Sequence, residues 1–176
     1  MKKFILSIFL SLLFIYPINA ESDTDCSDKS SYIIDVQNVT VYFNLDTNEQ
    51  ITEENALSLS SNQLFTINIK HTLYQETNGI VSLGIDMAAT NTKCQIKKIS
   101  GSFKVSDTST YASSVLSIST SNIIPTYRIG GYYQGTHSFT KGHTVKATAN
   151  YYISLTNGSV LNGGNINYSN TLKIVR

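Results

Sequence analysis

An antiparallel β-sandwich or barrel is the fold predicted for this chain of 176 residues, and three observations predict it. Apolar side chains alternate with polar ones at a period of two in segment after segment, the spacing at which a strand turns one face to a core. Turn residues separate these segments at intervals of about ten residues, as in all-β domains. No sustained run with the 3.6-residue period of a helix occurs.

The elements follow in order. Lys2 and Lys3 precede an apolar stretch from Phe4 to Tyr16 and a short end from Pro17 to Ala20. That is the anatomy of a cleavable secretory leader over residues 1–20, and the apolar run is short for a membrane span. Residues 21–176 then form one β domain, since no repeat or linker divides them. Glu21 to Ser30 is polar. Ser31 to Leu45 is strongly β-favouring, with apolar groups on both parities, so a bulge or a switch of sheets is expected near Gln37 and Asn38. Asp46 to Asn48 is turn chemistry, and Ile51 to Leu59 reads as a weak helix or a loop.

Phe65, Ile67, Ile69, His71 and Leu73 alternate, Thr77-Asn78-Gly79 turns the chain, and Val81, Leu83, Ile85 and Met87 alternate back. The pair reads as a hairpin. A short strand is expected around Cys94, Ile96 and Ile99, leading into Phe103 and Val105, with another from Tyr111 to Ile118. Ile123 to Phe139, with its proline, glycines and tyrosines, reads as an edge strand carrying a long surface loop. The clearest alternation is Val145 to Leu155, followed by an Asn157-Gly158 turn and a last strand in which Ile166, Tyr168, Leu172 and Ile174 share a face.

Composition narrows function. Without residues 1–20 the chain carries 11 basic and 12 acidic residues, a net charge of −1. That balance offers no basic footprint for nucleic acid. Polarity comes from Ser, Thr and Asn rather than from charge, as in many exported β proteins. In an oxidising compartment the two cysteines, Cys26 and Cys94, are expected to pair. The bridge would close a loop of 68 residues and stabilise by roughly 4 kcal/mol in the chain-entropy model.

Chemistry is sparse. His71 lies on an apolar parity, which suits a buried, satisfied ring, while His137 and His143 sit in polar surface stretches. No nucleophile elbow, metalloprotease helix, phosphate loop or Cys–His nucleophile pattern occurs. No catalytic residue, metal site or cofactor is therefore assigned, and the chain is not expected to be an enzyme. The acidic groups around Asp23 and at Glu53-Glu54 lack calcium-loop spacing. One candidate contact remains, the segment YRIGGYYQGTH with Tyr127, Arg128, Tyr132 and Tyr133, which combines rings, glycines and a cation. Its rival reading is an edge strand with one ring of Tyr132 and Tyr133 buried and the other exposed.

The terminal strand resembles that of chaperone–usher fimbrial subunits. Gly163 stands fourteen positions from the end, followed by the alternating Ile166, Tyr168, Leu172 and Ile174, with KATANYYISLTNGSVLNGG before them. Val175 replaces the family's penultimate aromatic, and no alternating donor segment precedes Cys26. The resemblance implies an immunoglobulin-like sandwich that lacks one strand, exported to the periplasm and placed on a surface fimbrium. A chaperone, an usher and neighbouring subunits would be its partners, and Gly163, Ile166, Tyr168, Leu172 and Ile174 would border the groove that receives a donated strand. The alternative is a self-contained exported β-sandwich that binds a host receptor or glycan through Tyr127 to His137.

Overall fold

The computed structural model describes residues 31–156 and 160–175, without the side chains of 122–125 and 160–162. The expected leader, Cys26 and the expected Asn157-Gly158 turn lie outside the described residues. Nine strands and one helical turn make up the described chain: β1 (Tyr32–Asn44), β2 (Glu49–Ile51), α1 (Glu53–Ala56), β3 (Leu64–Gln75), β4 (Val81–Ala89), β5 (Gln95–Asp107), β6 (Ser113–Thr126), β7 (Arg128–Tyr133), β8 (Thr144–Thr156) and β9 (Val160–Lys173).

The strands form two antiparallel sheets, ordered β2-β1-β3-β4-β7 and β6-β5-β8-β9. Period-two alternation turns Phe65, Ile67, Ile69 and Leu73 of β3 inward, and Val145, Ala147, Ala149, Ile153 and Leu155 of β8 meet them from the other sheet, all buried. Each large apolar side chain so buried stabilises by about 1.5–3 kcal/mol. The order has an immunoglobulin-like form. Strands β4 and β7 pair within one sheet, β5 and β8 pair within the other, and the chain crosses between sheets after β4, β6 and β7. The place beside β8 is filled by β9 of the same chain.

Local chemistry explains the turns and corrects several expectations. The β3–β4 hairpin closes as predicted. Gly79 takes φ +77°, and the Glu76 N–H donates to the Ile80 carbonyl at 2.9 Å. Ile51 to Leu59 resolves into the end of β2 and the single turn α1, capped by Thr52, whose Oγ1 accepts from the Asn55 N–H at 3.4 Å.

Strand β1 runs unbroken through Gln37 and Asn38, and its irregularity falls between Ile33 and Asp35. The change of parity needs no switch of sheets, because the bulge at Ile34 makes it: Ile33 and Val36 on either side face solvent at 59% and 43% exposure, while Ile34, Val39, Val41 and Phe43 pack toward the core. The short strand expected around Cys94, Ile96 and Ile99 runs on through Phe103 and Val105 as one strand, β5. A bulge between Ile96 and Lys98 resets the parity, so Ile96 and Ile99 both face the core. The long surface loop expected within Ile123 to Phe139 is in large part strand, the end of β6 and all of β7, because β7 pairs with β4 along its whole length.

Cys94 is buried at the end of the sandwich where the Asn91 side chain donates to the Leu64 carbonyl, whereas Tyr32 pairs with Gln75 at the other end.

Candidate binding face

The inner faces of both sheets are spent on the core, so a site must be sought on an outer face. On the five-stranded sheet the register places cross-strand rows side by side. Val36, Thr72, Gly84 and Tyr132 form one row, Asn38, Lys70, Asp86 and Gly130 the next, and Thr40, Asn68, Ala88 and Arg128 a third. Two open hollows of about 320 and 280 Å³ lie over these rows and share Lys70 and Asp86. The larger reaches the lower end of the ~300–1,000 Å³ range of small-ligand sites.

Polar contacts hold the side chains of this face in place. Arg128 donates to Asp86 through Nε at 3.0 Å and through a terminal nitrogen at 2.5 Å. This forked pair holds the Asp86 carboxyl below its ordinary range, with hydrogen bonding from Arg128 as the main cause. The Thr40 hydroxyl donates to the Asn68 side-chain carbonyl at 3.1 Å.

At the other end of the face, the Tyr132 ring meets Tyr74 edge-on with centroids 5.5 Å apart. A Cβ on Gly84 would come within 3.1 Å of the Tyr74 ring, so that ring lies against a strand position with no side chain. The Tyr132 hydroxyl donates to Glu76 at 2.9 Å, and partial burial pushes it above its usual pKa. Gln134 donates to both Glu76 oxygens at 3.1 and 2.9 Å, and the buried Ser82 hydroxyl donates to the same carboxylate at 2.9 Å. Tyr132 is thus half exposed, at 52%, yet anchored at its tip.

The structure divides the four candidate contact residues. Arg128 and Tyr132 share this outer face. Tyr133 turns inward, half buried, with its hydroxyl 2.8 Å from Thr120 Oγ1 of the opposite sheet. Tyr127 lies at the sheet end and donates to the Thr92 carbonyl at 3.5 Å. The sequence reading missed Lys70, Tyr74, Asp86, Asn38 and Asn68. They stand on the polar parity of their strands, which marks a solvent face but not which strands are neighbours.

The residues assigned by resemblance to a donor-strand groove lie on β9 and just after it, in the four-stranded sheet and away from this face. Ile166, Tyr168, Leu172 and Ile174 are 1–6% exposed within the sandwich. Gly163 lies where β8 passes so closely that an added Cβ would collide with the Ile153 carbonyl, and its N–H donates to the Tyr152 hydroxyl at 2.5 Å.

Between the sheets lies a second polar group of residues. His71 is fully buried, hydrogen-bonded through Nε2 to the Tyr151 hydroxyl at 2.6 Å and stacked on Tyr168 at 4.9 Å. Burial lowers its pKa to about 4 and raises those of both tyrosines. The β1 irregularity puts Asp35 level with Leu73, and the Tyr168 hydroxyl donates to its carboxylate at 3.3 Å. This group ties β1, β3, β8 and β9 together. Among the described residues no three His, Cys, Asp or Glu stand close enough to hold a metal, and no helix is long and apolar enough to cross a membrane.

Fold and face together define an antiparallel β-sandwich of immunoglobulin-like strand order with one open, aromatic and polar sheet face. No protein-family model, curated protein or solved structure matches the chain.

Proposed function

We propose that this protein is an exported, self-contained β-sandwich that adheres to a host receptor or glycan through the outer face of its five-stranded sheet. The observation that carries the proposal is the anchored pair Tyr74 and Tyr132 beside Lys70 and the Asp86–Arg128 fork, on a face with no strand or helix over it among the described residues. Rigid rings next to fixed polar groups supply contact area at little conformational cost. Export is supported by the leader-like start of the sequence. The experiment is a cell-binding assay with residues 21–176 and the Tyr132→Ala variant. Loss of binding with an unchanged unfolding midpoint supports the face, and undiminished binding removes it.

A second reading is favoured by β9. It spans 14 residues at a sheet edge, and its only charged residue is Lys173. Such an edge accepts further strands readily. On this reading the protein is a fimbrial subunit delivered by a periplasmic chaperone and usher, and a neighbouring subunit adds a strand along β9. Co-production with a periplasmic chaperone, followed by purification, tests it through the presence or absence of a stoichiometric complex.

A further inference from the structure

We infer that the ligand of this face is an acidic saccharide, a chain of pyranose rings bearing a carboxylate or sulfate, which seats its anion at Lys70 and a ring against Tyr132. The inference rests on the binding-face reading above.

Shape comes first. From Asn68 to Tyr74, β3 advances six residues along the face, roughly 20 Å at the rise of a strand, which is several sugar rings long. Gly130 and Ala88 keep the floor low beside the Tyr74 ring that covers Gly84, so a flat ligand can approach the backbone of β4 and β7 there.

Chemistry then selects among ligands. Arg128 and Asp86 neutralise one another in their fork. The Lys70 ammonium belongs to no ion pair among the described residues and stands beside that fork, so the Lys70 end of the trough carries one unmatched positive charge, while the Glu76 carboxylate at the Tyr132 end is engaged by Tyr132, Gln134 and Ser82. Asn38, Asn68 and Thr40 line the same hollow with amides and a hydroxyl, the groups that exchange hydrogen bonds with sugar hydroxyls. The exposed Tyr132 ring offers an apolar plane for the C–H face of a pyranose. An amphipathic helix finds no apolar groove here. Nucleic acid would bring a phosphate at every nucleotide to a site with a single spare cation.

The test uses residues 21–176 and titrates three tetrasaccharides of equal length calorimetrically: a hexuronate, a sulfated hexose chain and a neutral hexose chain. Either acidic chain is expected to bind at least tenfold more tightly than the neutral one, and the tighter of the two identifies the anion. Added salt should weaken the acidic chains alone. Lys70→Gln should remove most of that preference, and Tyr132→Ala should weaken all three chains by a similar factor, with unfolding midpoints unchanged in both variants.

Equal affinity for charged and neutral chains, or preference unaltered by Lys70→Gln, overturns the inference. So does failure of every chain to bind while Tyr132→Ala still abolishes cell binding, an outcome that leaves the binding face standing with a different ligand. Cell binding that survives Tyr132→Ala overturns the face and the saccharide together.

Discussion

His71 shows how one buried ring couples stability to pH. Its side chain is enclosed by Tyr151 and Tyr168, with Asp35 beyond the Tyr168 hydroxyl, and Nδ1 has no hydrogen-bond partner among the described residues. A proton added to this ring would place a charge in the core. The folded pKa of about 4 lies below the ordinary 6.5, so the unfolded chain takes up the proton first as pH falls. Stability is then full above about pH 6.5 and declines toward pH 4, by on the order of 3 kcal/mol. Urea midpoints measured between pH 4 and pH 7 should show this slope, and His71→Phe should flatten it. Asp107 acts at lower pH. It accepts from the His143 ring at 2.7 Å and from the Ser109 and Thr110 N–H groups at 2.7 and 3.3 Å, which hold its carboxyl well below the usual range. Its contribution is present above about pH 3.9 and is lost as pH falls below that.

Among the elements, the β8–β9 hairpin is specified by sterics as much as by alternation. Its register shifts between Ile153 and Leu155, opposite Gly163 and Gly164; Gly163 has no room for a Cβ against the Ile153 backbone, whereas a Cβ at Gly164 would meet the movable end of the Gln50 side chain. Gly163→Ala must push backbone against backbone, and a loss of about 2–3 kcal/mol is expected, read as a lower urea midpoint at unchanged slope. The glycine singled out in the sequence by its distance from the chain end thus has a local steric reason to be there. Strand β5 bears the other prediction at this scale. Cys94 is buried just before it, and its expected pairing with Cys26 should leave no thiol for iodoacetamide when residues 21–176 from an oxidising compartment are unfolded without reductant. Labelling of Cys94 under those conditions would overturn the disulfide.

For the whole molecule, the two sheets close on a continuous core, from Phe65 and Ile67 on one side to Phe103 and Ile153 on the other, all at 0% exposure. Residues 21–176 produced alone are accordingly expected to be monomeric, with a single cooperative transition unaffected by alternating apolar peptides. Aggregation rescued by such a peptide or by a periplasmic chaperone would reverse that and bring the fimbrial reading forward. The sequence by itself determined the all-β class, the inward residues of β3, β4, β8 and β9, and the β3–β4 turn. Each of these depends on period-two alternation or on turn chemistry, which act between near neighbours along the chain. Tertiary structure alone decided that β4 lies between β3 and β7, and so that Tyr74, Asp86 and Tyr132 share one face. It also decided that bulges at Ile34 and Lys97, rather than at Gln37 and Asn38, reset parity. Strand neighbours more than forty residues apart are chosen by how the two sheets pack around their common core, and alternation within a single strand carries no record of that choice.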